Sequence, residues 1–242
     1  MERALDPQHL PIAPAGEDLK RAAAARALEL IASGTYIGLG TGSTVRPLLE
    51  LLGERLQQRA LSDVVAVPTS DDTAARCRQL GIPLTTLDDQ PRLALAIDGA
   101  DEIGPGLALI KGLGGALLRE KLVALAAQRF VIIADESKRV RRLGTRAPLP
   151  VEVIPFGWTT HLAFFERLGA QPELRRLANR EPYRTDSGNL IVDCRFPGGI
   201  KDPPALARAL AKRPGIVEDG LFLRMAQCAF IAGKGGVRQI TR

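Results

Sequence analysis

The sequence predicts an α/β fold, an open and mostly parallel sheet with helices on both faces, joined to a smaller ferredoxin-like α+β unit. Three observations predict it. Through the first 135 residues, short and wholly apolar runs alternate with stretches of helical length, as in strands buried on both faces. After "RAPLP" at 146–150 the order becomes strand, helix, hairpin, helix, strand. Two more apolar runs then end the chain, placed to rejoin the first sheet. The expected division is a main unit of 1–146 with 221–242 and an inserted unit of 147–220. No repeat or low-complexity linker interrupts it.

Each element has its own local reason. "EDLKRAAAARALELIA" at 17–32 has the apolar spacing and alanine content of an amphipathic helix, and Gly34 stops it. "TYIGLG" reads as a buried strand, "TGST" as a tight turn and "VRPLLELLGERL" as a helix with Pro47 in its first turn. "VVAVP" is the next strand, and a helix near 71–80 ends at Gly81. "LALAID" is a strand, "GALLREKLVALAAQ" a helix and "FVIIAD" a strand. In the second unit "VEVIP" is a strand and "WTTHLAFFERLG" a helix. "YRTDSGNLIVDCRF" reads as two strands about a Ser-Gly-Asn turn. A helix near 203–212 and a strand at "GIVEDGLFL" follow, before the closing strands "CAFIAG" and "GVRQIT".

Composition removes several function classes. The chain has 242 residues, of which 45% are hydrophobic, enough for a sizeable core and too many for disorder. Aromatic residues are 4%, too few for a protein that stacks nucleobases. Net charge is +6 and the sequence pI about 9.6, but the basic residues are scattered. "RLGTRAP" is the nearest they come to a cluster. An anionic small substrate therefore fits better than nucleic acid. Arginine supplies 26 of the 33 basic residues, so each lysine is informative. Lys20, Lys111, Lys121 and Lys138 fall in or beside the segments singled out below. Cys77, Cys194 and Cys228 form no CxxC pair, which argues against a disulfide framework or zinc knuckle and for a reducing compartment. "MERALDPQHLPIAP" lacks the apolar run of a signal peptide, and no stretch approaches the ~18 residues of a membrane span. The expectation is a soluble, cytoplasmic protein.

Three segments carry chemistry. "GLGTGSTV" follows a strand and opens a helix, so its N–H groups and hydroxyls can hold an anion, or it is simply a structural turn. A dinucleotide site fails on detail: the third glycine of G-x-G-x-x-G would fall at Ser43, and no acid ends "VVAVP". "DGADE" stands at the carboxyl end of a strand, where open α/β sheets bind ligands. Asp98, Asp101 and Glu102 there can move protons or bind sugar hydroxyls, or form a solvated turn. A magnesium ion is compatible with these acids, though nothing calls for one, and neither His9 nor His161 lies in a motif. "KGLGGALLRE" brings Lys111 and glycines to a helix that is expected to begin near Gly114, and together these can stabilise an oxyanion. Glu120 would lie ~9 Å along the helix axis, leaning back towards the loop. The alternative is an exposed helix-surface acid.

"GTGST", "DGADE", "KGLGGALLREK" and "ADESK", in this order and spacing, closely resemble the type A ribose-5-phosphate isomerases. The resemblance runs from about Asp18 to the C-terminus and includes "LPVEVIPF", "TDSGNLIVD" and "PGIVEDGLF". It implies interconversion of ribose 5-phosphate and ribulose 5-phosphate through an enediol, without metal or organic cofactor, in the non-oxidative pentose phosphate pathway. It also implies a homodimer acting on a phosphorylated pentose, with no nucleic acid or membrane partner. Glu120 matches the proton-transferring base, and Asp98, Asp101 and Lys111 match residues about the reacting carbons. Thr41, Gly42, Ser43 and Thr44 match the substrate-binding loop. Gly99, Ala100, Gly112, Leu113 and Gly114 complete the substrate-binding segments, and Lys20 and Lys138 match phosphate-side lysines. The chain departs from the family's usual K-G-G-G at Leu113. A left-handed backbone there would cost leucine ~1–2 kcal/mol.

The chemistry agrees with that resemblance. One carboxylate of ordinary pKa, near 4.3, is ionised at neutral pH and can carry a proton between adjacent carbons. The enediolate's charge would meet Lys111 and the helix N-terminus. Ring opening needs a further acid and base, for which Asp98 is the first candidate. The competing readings are an amino-sugar-phosphate deaminase or phosphosugar lactonase, which usually enlist histidine, and a non-catalytic sugar-phosphate sensor attached to a DNA-binding unit. The roughly sixteen residues ahead of the first helix are too few for a helix-turn-helix domain.

Overall fold

A computed structural model describes residues 16–242; His9 and the "MERALDPQHLPIAP" segment lie outside the described residues. The chain runs α1 (Gly16–Leu28), β1 (Tyr36–Leu39), α2 (Arg46–Gln57), β2 (Val65–Pro68), α3 (Asp71–Gln79) and β3 (Leu95–Asp98). Two short strands, β4 (Glu102–Ile103) and β5 (Leu109–Ile110), precede α4 (Leu117–Ala126) and β6 (Phe130–Asp135). Then come β7 (Leu149–Val153), α5 (Leu162–Arg167), β8 (Gln171–Leu174), β9 (Leu190–Arg195), α6 (Pro203–Ala211) and β10 (Ile216–Asp219). β11 (Leu221–Phe222), β12 (Cys228–Gly233) and β13 (Gly236–Thr241) close it.

The main sheet has the order β13-β12-β6-β3-β1-β2, parallel except for the antiparallel edge strand β13. Apart from the exposed edge strand β13, its strands are largely buried on both faces, which is why they read as continuous apolar runs. Ile37, Leu39, Ile97, Val131 and Ile133 pack with α1, α2 and α3 on one side. Ala96, Phe130, Ile132 and Ala134 point the other way, towards Val123 and Ala124 of α4. From β1 the chain steps outward to β2, then crosses back to β3 on β1's other side. The β1–β3 crevice is therefore the switch point at which such sheets bind ligands.

The second sheet has the order β10-β7-β9-β8 and is antiparallel throughout, with α5 and α6 against its apolar face. Strand, helix, two strands, helix, strand in this order is the expected ferredoxin-like arrangement. Several local expectations change. The strand expected before the Ser-Gly-Asn turn makes only the isolated bridges Arg176–Pro182 and Arg184–Leu190, and β9 pairs instead with β8. The helix expected over 158–169 divides into a 3₁₀ turn at Trp158–His161 and the six-residue α5. α1 ends four residues short of the expected helix end.

A third sheet, β11-β5-β4, was not foreseen. It arises because the run at 215–223 breaks at Gly220. β10 stays in the second sheet, while β11 joins β5 just before Lys111. Gly220 fastens the joint: its N–H donates to the Pro150 carbonyl at 2.8 Å, and its carbonyl accepts from the Lys111 N–H at 2.9 Å. Among the described residues no helix is long and apolar enough to cross a membrane.

Candidate active site

The crevice between β1 and β3 opens into a cavity of about 220 Å³. It is built by the turn after β1, the loop after β3, the glycine-rich loop between β5 and α4, the first turn of α4 and the turn after β6. Its walls include Thr41, Gly42, Ser43, Thr44, Gly99, Ala100, Asp101, Lys111, Gly112, Gly114, Glu120 and Lys138. Residues as far apart in sequence as Thr41 and Lys138 thus face one space, which the motif reading required.

At the floor, Lys111 Nζ lies 2.9 Å from Asp98 Oδ2 and 3.3 Å from Glu120 Oε2, and donates to the Gly99 carbonyl at 2.8 Å. Among the described residues these two oxygens meet no donor other than that ammonium. The three groups are 2%, 2% and 5% exposed, so removing the lysine charge would leave two buried carboxylates uncompensated in a low-dielectric site, whereas removing either carboxylate's charge leaves a balanced pair. Asp98 sits beneath the lysine, not on the cavity wall. Its Oδ1 accepts from the N–H groups of Gly99 at 2.7 Å and Thr41 at 3.2 Å, which joins the two loops across the switch point. Only glycine fits at position 40, because a Cβ there would come within 1.9 Å of Asp98 Oδ1.

Burial and the nearby Asp98 charge push the Glu120 carboxyl up to about 8, against the pull of Lys111. The expectation of an ordinary carboxylate is therefore corrected. Asp98 is also raised, by burial, although Lys111 and the two N–H donors oppose it. Burial works against charge on Lys111, but Asp98 and Glu120 outweigh it and hold the ammonium protonated well above its usual range.

The helix start is corrected too. α4 begins at Leu117 after Ala116, not near Gly114, so Glu120 stands in the first turn and not ~9 Å along the axis. Its proximity to the loop comes from this late start. The αL positions of the loop are Gly112 (φ 101°) and Gly115 (φ 87°), while Leu113 has no positive φ. The strain considered for leucine does not arise. Leu113 is 42% exposed and lies off the cavity wall, its N–H donating to Asp101 Oδ2 at 2.9 Å.

On the opposite side, the N–H groups of Gly42, Ser43 and Thr44 make no hydrogen bond among the described residues, and these three residues line the cavity ahead of α2. Lys138 lines the same space, on a 3₁₀ turn capped by the Asp135 carboxylate. Lys20 is not on the wall; it reaches Ser43 Oγ at 3.1 Å while pairing with Glu17. Thr41 is on the wall, but its polar groups are spent internally. Its hydroxyl meets Thr69 at 2.7 Å and Ser70 at 2.8 Å.

Two singled-out residues prove to be framework. Glu102 is 0% exposed, and its carboxylate accepts from the N–H groups of Gly144, Arg146 and Ala147 at 2.6, 2.6 and 2.8 Å. Lys121 pairs with Glu218 at 2.7 Å and tethers α4 to β10. His161 packs on Phe165 and Arg213, far from these loops in the second sheet's helical layer. Among the described residues no cluster of His, Cys, Asp or Glu is placed to hold a metal ion. Sequence reasoning missed Arg175, whose guanidinium reaches the carbonyls of Gly112 and Leu113 from the second sheet. "PELRR" carries no signal for that.

Fold and site together place a buried carboxylate–ammonium cluster beside the 42–44 turn and Lys138 at the switch point of an α/β sheet. The family model Ribose 5-phosphate isomerase A (phosphoriboisomerase A) matches residues 65–236. A ribose-5-phosphate isomerase A from Roseiflexus castenholzii is 56% identical over 221 residues, covering 91% of this chain and 94% of its own. A solved D-ribose-5-phosphate isomerase in complex with phospho-erythronic acid superposes with a TM-score of 0.92 at 38% identity, covering 95% of this chain and 100% of that one. The ribose 5-phosphate isomerase A of Methanocaldococcus jannaschii gives 0.89 at 37%, over 94% and 100%. The chain belongs to the ribose 5-phosphate isomerase A family.

Proposed function

We propose that this chain interconverts ribose 5-phosphate and ribulose 5-phosphate, a step of the non-oxidative pentose phosphate pathway. One observation carries the reading. A buried carboxylate poised to gain or lose a proton near neutrality shares a small cavity with a fixed ammonium and, opposite, a set of uncommitted N–H groups. A phosphate and a developing oxyanion are the two charges such a cavity suits. The solved relative that holds phospho-erythronic acid binds a phosphorylated sugar acid.

In this reading the 5-phosphate lies on Gly42, Ser43 and Thr44 with Lys138, and Lys20 steadies that turn from behind. Asp101, the carboxylate on the wall, exchanges protons with the ring as it opens, while Asp98 behind it holds the Lys111 ammonium in place. Glu120 takes the proton from C2 and returns it to C1. Meanwhile the Lys111 ammonium and the free N–H groups of Gly112 and Gly114 stabilise the enediolate oxygens. A base with a pKa near the working pH is well matched to such transfer.

We also propose the division into a catalytic unit (1–146 with 221–242) and a smaller unit (147–220), supported by the change of sheet at Leu149 and Gly220. A cytoplasmic setting is supported by three buried free cysteines. A homodimer rests on the family resemblance.

The test is direct. Purified protein supplied with ribose 5-phosphate should form ketose, with exchange of the C2 proton into deuterated water. Absence of both, from protein shown to be folded, overturns the reading.

A further inference from the structure

The glycine-rich loop takes part of its support from the second sheet. Arg175, just beyond β8, donates from Nη1 to the carbonyls of Gly112 at 3.0 Å and Leu113 at 2.9 Å. Its other edge is locked to Asp193 of β9, Nε to Oδ2 at 2.8 Å and Nη2 to Oδ1 at 2.5 Å. Tyr183 lies against the guanidinium at 5.8 Å, and its hydroxyl fills the space over Gly115, where a Cβ would come within 2.0 Å. The Tyr183 hydroxyl also donates to the Gly114 carbonyl at 3.5 Å, and the Leu113 N–H donates to Asp101.

Geometry gives this clamp a purpose. A peptide unit whose carbonyl is held outward presents the following N–H the opposite way. The Gly112 carbonyl also accepts from the Gly115 N–H at 3.0 Å, so Arg175 adds to a turn already present. With the carbonyls of Gly112 and Leu113 held on Arg175, the Leu113 N–H is turned to Asp101 and the Gly114 N–H away from the guanidinium. Gly112 has a φ of 101° and so no intrinsic preference that would hold it there. Arginine suits the task because one planar fork serves a carboxylate on one edge and two carbonyls on the other. A lysine ammonium cannot match that geometry.

We propose that Arg175, oriented by Asp193, is a positioning residue of the isomerisation. On this view the smaller sheet takes part in catalysis by setting the direction of the Gly114 N–H that, with Lys111, meets the enediolate, and of the Leu113 N–H that holds Asp101. The inference rests on the isomerase reading for its kinetic consequence but not for its structural one.

The experiment compares wild type with Arg175→Ala, Arg175→Lys and the neighbouring control Arg176→Ala, whose guanidinium bonds only within its own segment. For Arg175→Ala, kcat should fall roughly 10- to 100-fold, the scale expected when reacting groups are misplaced without being removed. KM for ribose 5-phosphate and inhibition by inorganic phosphate should stay within about threefold, since the phosphate turn is untouched. Amide exchange should lose protection over 112–116 but not over β7 and β9. Arg175→Lys should fall between wild type and alanine, and Arg176→Ala should match wild type. Wild-type kcat in Arg175→Ala, or protection lost evenly across the second sheet, overturns the proposal. If the wild-type protein converts no ribose 5-phosphate, the isomerase reading fails. The exchange pattern over 112–116 alone then decides whether Arg175 holds the loop.

Discussion

Glu120 Oε2 is buried, receives no hydrogen bond and has a cation only 3.3 Å away. A structural acid would be capped by donors, as Glu102 is by three N–H groups. Glu120→Gln tests the difference. The amide nearly preserves volume and cannot accept a carbon-bound proton, so kcat should fall ~10²–10⁴-fold with the fold intact. Turnover at the wild-type rate, with Asp98→Asn inactive, would place the base in the "DGADE" loop. The pH profile gives a second reading. With Glu120 raised to about 8, the acid limb of kcat/KM should lie far above the ~4.3 of a solvated glutamate. Asp98→Asn removes the charge that raises it and leaves Lys111, so the residual activity should show that limb at lower pH. Residue identity here was legible in the sequence. Its pKa was not, because burial depends on what packs around a side chain rather than on its neighbours in the chain.

At the scale of the element, the three acids of "DGADE" part company within five residues. Asp98 ends β3 and turns beneath Lys111, Asp101 faces the cavity, and Glu102 begins β4 and points away to the 144–147 turn. Adjacent positions on an extended chain face opposite ways, so Asp101 and Glu102 cannot share one site. Glu102→Gln puts an NH₂ where backbone N–H donors converge. The cost should be ~1–3 kcal/mol of stability, read as a lower Tm, with kcat/KM changed little. A large loss of kcat at unchanged Tm would return Glu102 to the reaction. The helices and long strands were legible because each carries enough residues to show a period. β4, β5 and β11 have two residues each and show none. The start of α4 was misplaced for a similar reason. A glycine run before an apolar helix has no capping side chain to mark the boundary, and Ala116 supplies none.

Across the whole molecule, what the sequence withheld is long-range. That β9 would pair with β8 rather than with 183–189, and that Arg175 would reach Gly112, depends on how two sheets meet. The strand order of the main sheet was legible only as a parallel α/β pattern that the last strands rejoin. The same assembly buries two carboxylates around one lysine, and this links the site to global stability. Glu120 and Asp98 both have folded pKa values above their unfolded ones. A group raised in this way contributes stability that is complete below its unfolded value and lost as pH rises through its folded value. For Glu120 the window runs from 4.5 to about 8. Lys111, also raised, keeps its contribution through that whole range. Gln mimics the protonated acid and does not titrate. The Tm values of wild type and Glu120→Gln should therefore converge towards pH 4.5 and separate up to about pH 8, with the variant the more stable, then run parallel above it. Each pKa unit is worth ~1.4 kcal/mol, so the separation should reach a few kcal/mol and several degrees. A Tm difference that stays flat from pH 5 to 9 would mean that Glu120 titrates alike in the folded and unfolded chain. The buried trio would then carry no stored cost, and the case for Glu120 as the poised base would lose its physical ground.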